Sequence, residues 1–302
     1  MGQLPIVFAR RYDLDLDHNH RFPAAKFRRI GELLVEEGIC NEPDFHRPGP
    51  APLSWIAAAH DRTYVDQVAT ASVPDKIARD IGYRMTEAVA LRSRTASGGT
   101  VMTARLALEH GVACNAAGGS HHARRTQGAG FCVFNDVAVT IKVLQAEGLI
   151  ERVLIVDLDV HQGDGTADIF ADDPAVFTFS MHGERNYPTQ KIPGDLDIGL
   201  PDGTGDDAYL TALKDVLPRL IHRHRPDLVF YNAGVDPHRD DRLGLLALSD
   251  DGLDIRNRYV IETVRNAGVP IATVLGGGYS DNIEALSRRH LGIFRAARDF
   301  VS

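Results

Sequence analysis

The stretch VLIVDLDVHQGDG (residues 153–165) decides the fold. Its first four residues are apolar without a break, the composition of a strand covered on both faces of a parallel sheet. The remainder follows directly with Asp157, Asp159, His161 and Asp164. Side chains at i, i+2 and i+4 of a strand point to one side, so Asp157, Asp159 and His161 are expected to share a face at its tip. Carboxylates at the end of an apolar run are costly to bury unless paired or bound to a cation. A mixed Asp/His set without thiols suits a zinc-type or iron-type divalent ion. A network of buried Asp–His hydrogen bonds without metal is the other reading of the same residues.

Outward from this stretch, further apolar runs at residues 4–9, 112–117, 175–181, 228–233 and 270–275 read as strands. Helix-like segments lie between them, at 135–147, 206–223, 251–266 and 282–300. The second opens on paired aspartates, favourable at a helix N-terminus, and the third stops at Gly268, a C-terminal capping signal. The proline-containing stretch 41–52 reads as a surface loop. Alternating strand and helix predicts a doubly wound α/β domain, in which ligands bind beyond the carboxyl ends of the strands.

Three more apolar runs end in polar or glycine-rich turns: GGSHH (residues 118–122), NAGVD (232–236) and GGGY (276–279). If all four strands are parallel, these turns meet Asp159 and His161 at one edge of the sheet. Asp236 then offers another carboxylate to the metal. His121 and His122 each need a carboxylate to fix the tautomer and raise basicity, with Asp157 and Asp164 available. Tyr279 is placed to donate a hydrogen bond to a developing oxyanion, although GGGY read alone is equally a tight turn. The glycines lack the Lys-Ser/Thr of a phosphate loop, no GxGxxG follows an early strand, and no GxSxG elbow occurs. A metal-dependent hydrolase remains.

The composition bounds the alternatives. Of 302 residues, 33 are Lys or Arg and 41 Asp or Glu, for a net charge of −8, with 44% hydrophobic residues. That composition excludes disorder of the whole and argues against nucleic-acid binding through a general basic field. Cys40, Cys114 and Cys132 stand far apart, so neither a disulfide framework nor a thiolate zinc site is expected. Neither a signal peptide nor a membrane span is expected, and the chain reads as cytoplasmic.

Taken together, GGSHHARRTQGAGFCVFND (residues 118–136), VDLDVHQGDGT (156–166), NAGVD with the following DRLG (232–236 and 241–244) and LGGGY (275–279) resemble the zinc-dependent histone deacetylase superfamily. The likeness runs from PIVFARRYD near the start to the last helix. The compact length, the early HNHRFPAAKF and the pair Tyr187-Pro188 most resemble class IV deacetylases and their bacterial relatives. The resemblance implies a single three-layer α/β/α domain over residues 1–302, with a mainly parallel sheet in the arginase/deacetylase fold. It implies a zinc site made by Asp159, His161 and Asp236, so that Asp157 pairs with His121 instead of binding metal; ferrous iron suits the same set. His122 is implied as general base and then acid, supported by Asp164, His121 as an electrostatic aid, and Tyr279 as the group polarising the substrate carbonyl. Gly130, Phe131, Tyr187 and Leu243 are implied to line an acyl-lysine channel. A structural potassium ion is implied on main-chain carbonyls of Asp157, Asp159, His161, Ser180 and Met181.

The implied substrate is an acyl-lysine of a protein or peptide, or a small acyl-amine such as an acetylpolyamine. Ser120 stands where acetyl-preferring members carry a larger apolar residue, which predicts tolerance of longer acyl chains. Cys132 reads as a small buried core residue and not as a nucleophile. A catalytically silent acyl-lysine-binding module is a second class of reading, opposed by the retention of His121, His122 and Tyr279. Arginase-like activity requires more carboxylates on the central strand than this chain supplies.

Overall fold

The computed structural model describes residues 2–16 and 20–301. His18 and Asn19 of the early HNHRFPAAKF stretch, and both chain ends, lie outside the described residues. Seven strands form one sheet: β1 (Ile6–Val7), β2 (Val112–Asn115), β3 (Val153–Asp157), β4 (Val176–Gly183), β5 (Leu196–Leu200), β6 (Leu228–Asn232) and β7 (Ile271–Val274). Their order is β1-β2-β7-β6-β3-β4-β5, and every pairing is parallel. β2, β3, β6 and β7 are wholly buried, as their continuous Val, Ile, Leu and Ala composition requires.

Among the described residues ten α-helices accompany the sheet: α1 (Ala25–Glu36), α2 (Leu53–Ile56), α3 (Arg62–Ala69), α4 (Asp75–Ile81), α5 (Glu87–His110), α6 (Asp136–Ala146), α7 (Asp164–Phe170), α8 (Asp206–His224), α9 (Asp250–Asn266) and α10 (Ile283–Arg298). The fold is the expected α/β sheet flanked by helices.

Seven of these elements have no counterpart in the sequence reading: α1, α2, α3, α4, α5, α7 and β5. β5 was not expected: its LDIGL composition alternates and it is only partly buried, the behaviour of an edge strand. α5, the longest helix, was not expected either, because its buried surface is written in small polar residues. Thr95, Ser97 and Thr103 turn their hydroxyls back onto the carbonyls of Leu91, Ser93 and Gly99, which lets polar side chains be buried without an outside partner, whereas the Thr100 hydroxyl donates to Asp136 at 2.6 Å. Gly98 admits a neighbouring backbone, since a Cβ there would lie 2.2 Å from the Gly49 carbonyl oxygen.

This topology selects the site. β2, β7, β6 and β3 are contiguous in the middle of the sheet, and their tips carry the four polar turns. Register pairs Asp157 with Asn232 and Asn232 with Val274, so β3, β6 and β7 end level with one another.

Candidate metal centre and active site

The strand alternation expected through residue 161 stops at Asp157, the last residue of β3. Leu158 N–H bonds the Asn232 carbonyl, and the chain then leaves the sheet. Asp159 and His161 therefore come from the loop, and Asp157 does not share their position. Backbone donors orient the loop carboxylates: Asp159 accepts from His161 N–H at 3.0 Å and from Gly277 N–H at 2.6 Å, and Asp236 accepts from Val160 N–H at 2.9 Å. A Cβ on residue 277 would lie 2.0 Å from an Asp236 carboxylate oxygen, so only glycine lets the β7 turn approach this closely.

Asp159, His161 and Asp236 converge, each presenting one ligand atom, with all three atoms within 4.8 Å of one another. His161 Nδ1 lies 3.0 Å from Asp159 Oδ1 and 3.1 Å from Asp236 Oδ2. In a tetrahedral site with metal bonds of about 2.0–2.1 Å, ligand atoms stand about 3.3 Å apart, so these separations suit a small divalent ion. The electrostatics agree. Burial and the adjacent Asp159 charge push Asp236 up to about 7, the signature of two buried carboxylates that want a cation between them. One imidazole nitrogen, two carboxylates and no thiolate fit a catalytic rather than a structural site.

Two His–Asp pairs flank the cluster. His121 Nδ1 and Asp157 Oδ2 are 2.6 Å apart, and His122 Nδ1 and Asp164 Oδ1 are likewise 2.6 Å apart. Their surroundings differ. Asn232 Nδ2 donates to Asp157 at 3.0 Å, whereas Arg124 places a full positive charge 2.7 Å from Asp164. Burial lowers His121, but the Asp157 and Asp159 carboxylates outweigh it and lift this imidazole to about 9. Burial and then the His121 charge push His122 down to about 4. The rings lie 4.1 Å apart between centroids, so the pair splits into one cationic and one neutral imidazole. Burial beside Asp159 and Asp236 raises Tyr279 well above its ordinary value, which keeps its hydroxyl protonated.

His122, His161 and Tyr279 border a cavity of about 550 Å³, together with Gly130, Phe131, Tyr187 and Leu243. The structure thus brings all four expected channel residues to one opening. Ser120 lies deeper, on an inner cavity of about 40 Å³ with Phe22, Phe27, Arg92 and Ala96; His122, Gly130, Phe131 and Tyr279 border both spaces. Of the five expected main-chain cation positions, Asp157 ends β3 and pairs with Ser180, Met181 follows within β4, and Asp159 and His161 lie in the loop after β3. Burial pushes the Cys132 thiol far above its ordinary value, which disfavours the thiolate a nucleophile requires.

Several supporting residues escaped the sequence reading. Asp241 accepts three backbone N–H groups, from Leu243 at 2.8 Å, Gly244 at 2.9 Å and Tyr279 at 2.7 Å, and so ties a channel residue to the phenol. Arg256 is fully buried on α9 and donates to the carbonyls of Leu158 and Ala233, which begin the two ligand loops. Lys26 is buried on α1 and donates to the Gly278 carbonyl at 3.2 Å. Asp136, at the start of α6, accepts from Gly119 N–H and Ser120 N–H and holds the turn before the histidines. Asp241 and Asp136 lie inside the quoted motifs. Lys26 lies inside the quoted HNHRFPAAKF segment, and Arg256 carries no local signal beyond a charge within an amphipathic helix.

The Histone deacetylase domain family matches residues 20–295. A protein of Picosynechococcus sp. with no assigned activity is 49% identical over 295 residues, 98% of each chain. Histone deacetylase 2 of Arabidopsis thaliana is 30% identical over 311 residues, covering 96% of this chain and 80% of that one. Among solved structures, the HDA15 HD domain superposes with a TM-score of 0.83 at 23% identity, over 99% of this chain and 89% of that one. An HDAC homologue complexed with SAHA gives 0.81 at 24% identity, over 98% of this chain and 85% of that one. At these identities the two structures speak to the fold alone.

Proposed function

The chain belongs to the histone deacetylase family, and from that premise we propose that it is a metal-dependent deacylase of lysine side chains in proteins or peptides. One observation carries the reading: a three-ligand cluster, two His–Asp pairs and a protonated phenol converge at the floor of one cavity.

Asp159, His161 and Asp236 would hold the ion, zinc or ferrous iron, which when bound supplies Lewis acidity toward an amide carbonyl and acidifies a water. The chain's own groups provide the rest. Asp164 accepts the Nδ1 proton of His122, which leaves Nε2 free to take a proton from water and return it to the leaving amine. His121, held cationic by Asp157, sets a positive field beside the reacting centre. The Tyr279 hydroxyl donates to the oxygen on which negative charge develops. Phe131 and Tyr187 flank the lysine stem, and Leu243 and Gly130 complete the channel. The inner cavity beside Ser120 supports acceptance of acyl groups longer than acetyl. A potassium ion on the main-chain carbonyls of Asp157, Asp159, His161, Ser180 and Met181 belongs to the same proposal. So do one catalytic unit over residues 1–302, kinship with class IV deacetylases, and a reducing, cytoplasmic setting. The last is supported by three separate, buried, free cysteines. Among the described residues no helix is long and apolar enough to cross a membrane.

The test is release of acyl groups from one lysine peptide carrying acetyl, butyryl, octanoyl or myristoyl, with acetylated polyamines in parallel. The proposal expects chelator-sensitive release restored by metal. Release confined to acetyl would overturn the role given to Ser120, and silence on every substrate by metal-loaded protein would overturn the deacylase reading.

A further inference from the structure

The mouth of the 550 Å³ cavity is lined by polar side chains that the catalytic reading does not use: Arg21 and Arg79, with Asp80 and His20. Arg21 and Arg79 are both exposed, and among the described residues neither has a carboxylate or a hydrogen-bond partner. Asp80 does have one, since its carboxylate pairs with Lys76 at 3.0 Å. Arg79 sits in the last turn of α4, a place a cation favours for the helix dipole alone, but that reason does not extend to Arg21.

Both arginines ride on segments stitched to the channel wall. Gly130 N–H bonds the Asp80 carbonyl at 2.9 Å, and Phe131 N–H bonds the Ile81 carbonyl at 2.7 Å. His20 Nδ1 accepts Phe22 N–H at 3.0 Å, which leaves Nε2 to donate to the Gly82 carbonyl at 3.1 Å. Arg21 is thus held between two anchored neighbours. Lys191, beyond Tyr187, donates to the carbonyls of Asn186 and Pro188 and is attracted by Asp164, Asp197 and Glu184, so it adds little to the charge of the opening. Arg21 and Arg79 therefore make the opening cationic on a chain whose net charge is −8.

We infer that this mouth selects acyl-lysines carried within an acidic stretch of polypeptide and disfavours polycationic substrates, acylated polyamines and lysine-rich tails included. The inference rests on the deacylase reading of the same cavity. Charges at the rim of a cleft act mainly on capture, so the effect belongs to KM and the association rate and not to kcat.

The test uses metal-loaded protein and two acyl-lysine peptides identical except for Glu or Lys at the two positions on either side. The acidic peptide is expected to have a kcat/KM roughly tenfold higher at low salt. The ratio should shrink towards one near 1 M salt, where the screening length falls to about 3 Å. In the doubly substituted variant Arg21→Glu/Arg79→Glu it should fall to one or invert. Anisotropy of the same peptides carrying a fluorophore reads the preference without turnover. Equal turnover of both peptides, or preference for the basic one, overturns this inference and leaves the deacylase reading standing. Tighter binding of the acidic peptide with no hydrolysis of either does the reverse.

Discussion

Asp241 offers the sharpest test of how the site is positioned, because one carboxylate holds both the channel and the phenol. Two of its three bonds run to Leu243 and Gly244 through Oδ1, and the third runs to Tyr279 through Oδ2. In Asp241→Asn the amide keeps its oxygen on the side with two donors, which turns its NH2 against the Tyr279 N–H. A hydrogen bond to a charged group is lost and two donors face each other, costing about 2 kcal/mol. With an unfolding entropy of about 2.1 cal/mol/K per residue, that loss lowers Tm by about 3 °C for 302 residues. The larger effect is on turnover. Releasing the Tyr279 backbone displaces its hydroxyl, and a displacement near 1 Å at a reacting centre costs up to about 100-fold in kcat. Phe131 and Tyr187 are untouched, so KM should change little. Hydrolysis of an acyl-lysine peptide by the metal-loaded variant, beside its melting curve, measures both. Placed on a Tyr279→Phe background the substitution should add almost nothing to the loss of kcat, because the two act through one group. A kcat within twofold of the parent at the expected lower Tm would refute the positioning argument.

Three further outcomes are expected. His60 is buried, bonds the Arg124 carbonyl through Nδ1 and accepts Asn135 N–H through Nε2, and burial pushes it from 6.5 down to about 4. Between those values the unfolded chain binds a proton that the folded chain does not, so about 3 kcal/mol of stability present above pH 6.5 is lost by about pH 4. Urea unfolding across that range should show the loss, with a flatter acid slope in His60→Gln. In the metal site, a proton on Asp236 competes with the ion below about pH 7, so affinity for zinc should fall at least tenfold per pH unit there. Equal zinc affinities by competition titration at pH 8 and pH 5.5 would contradict it. In Gly130→Ala, a Cβ at φ 53° would lie 2.5 Å from His122 Cδ2. The variant should fold, as circular dichroism would show, with activity reduced about 100-fold or more through displacement of His122.

What the sequence revealed, and what it hid, follows from where each element takes its information. The buried central strands carry it locally, as unbroken apolar runs, and their turns carry the ligating residues, so the site was assembled from four short motifs. The i, i+2, i+4 argument over Asp157, Asp159 and His161 failed because it assumed a strand past Asp157, where the chain instead leaves the sheet after a last bond from Leu158 N–H to β6. α5 hides its core face in Thr and Ser whose hydroxyls are satisfied only once the helix exists. The Arg256 and Lys26 contacts span 98 and 252 residues along the chain, a separation no local pattern encodes. Arg21 and Arg79 stand 58 residues apart in the sequence, and only the fold places both at one opening.

The central claim is that the cluster of Asp159, His161 and Asp236 makes this chain a deacylase when it holds a divalent ion. The most direct measurement is acyl release from an acyl-lysine peptide by protein stripped of metal, then titrated with zinc or ferrous iron, beside Asp236→Asn treated alike. The account predicts no release from stripped protein, release that rises to saturation near one ion per chain, and loss of at least 100-fold in the variant. Release unchanged by stripping, or an Asp236→Asn protein as active as its parent, would contradict it.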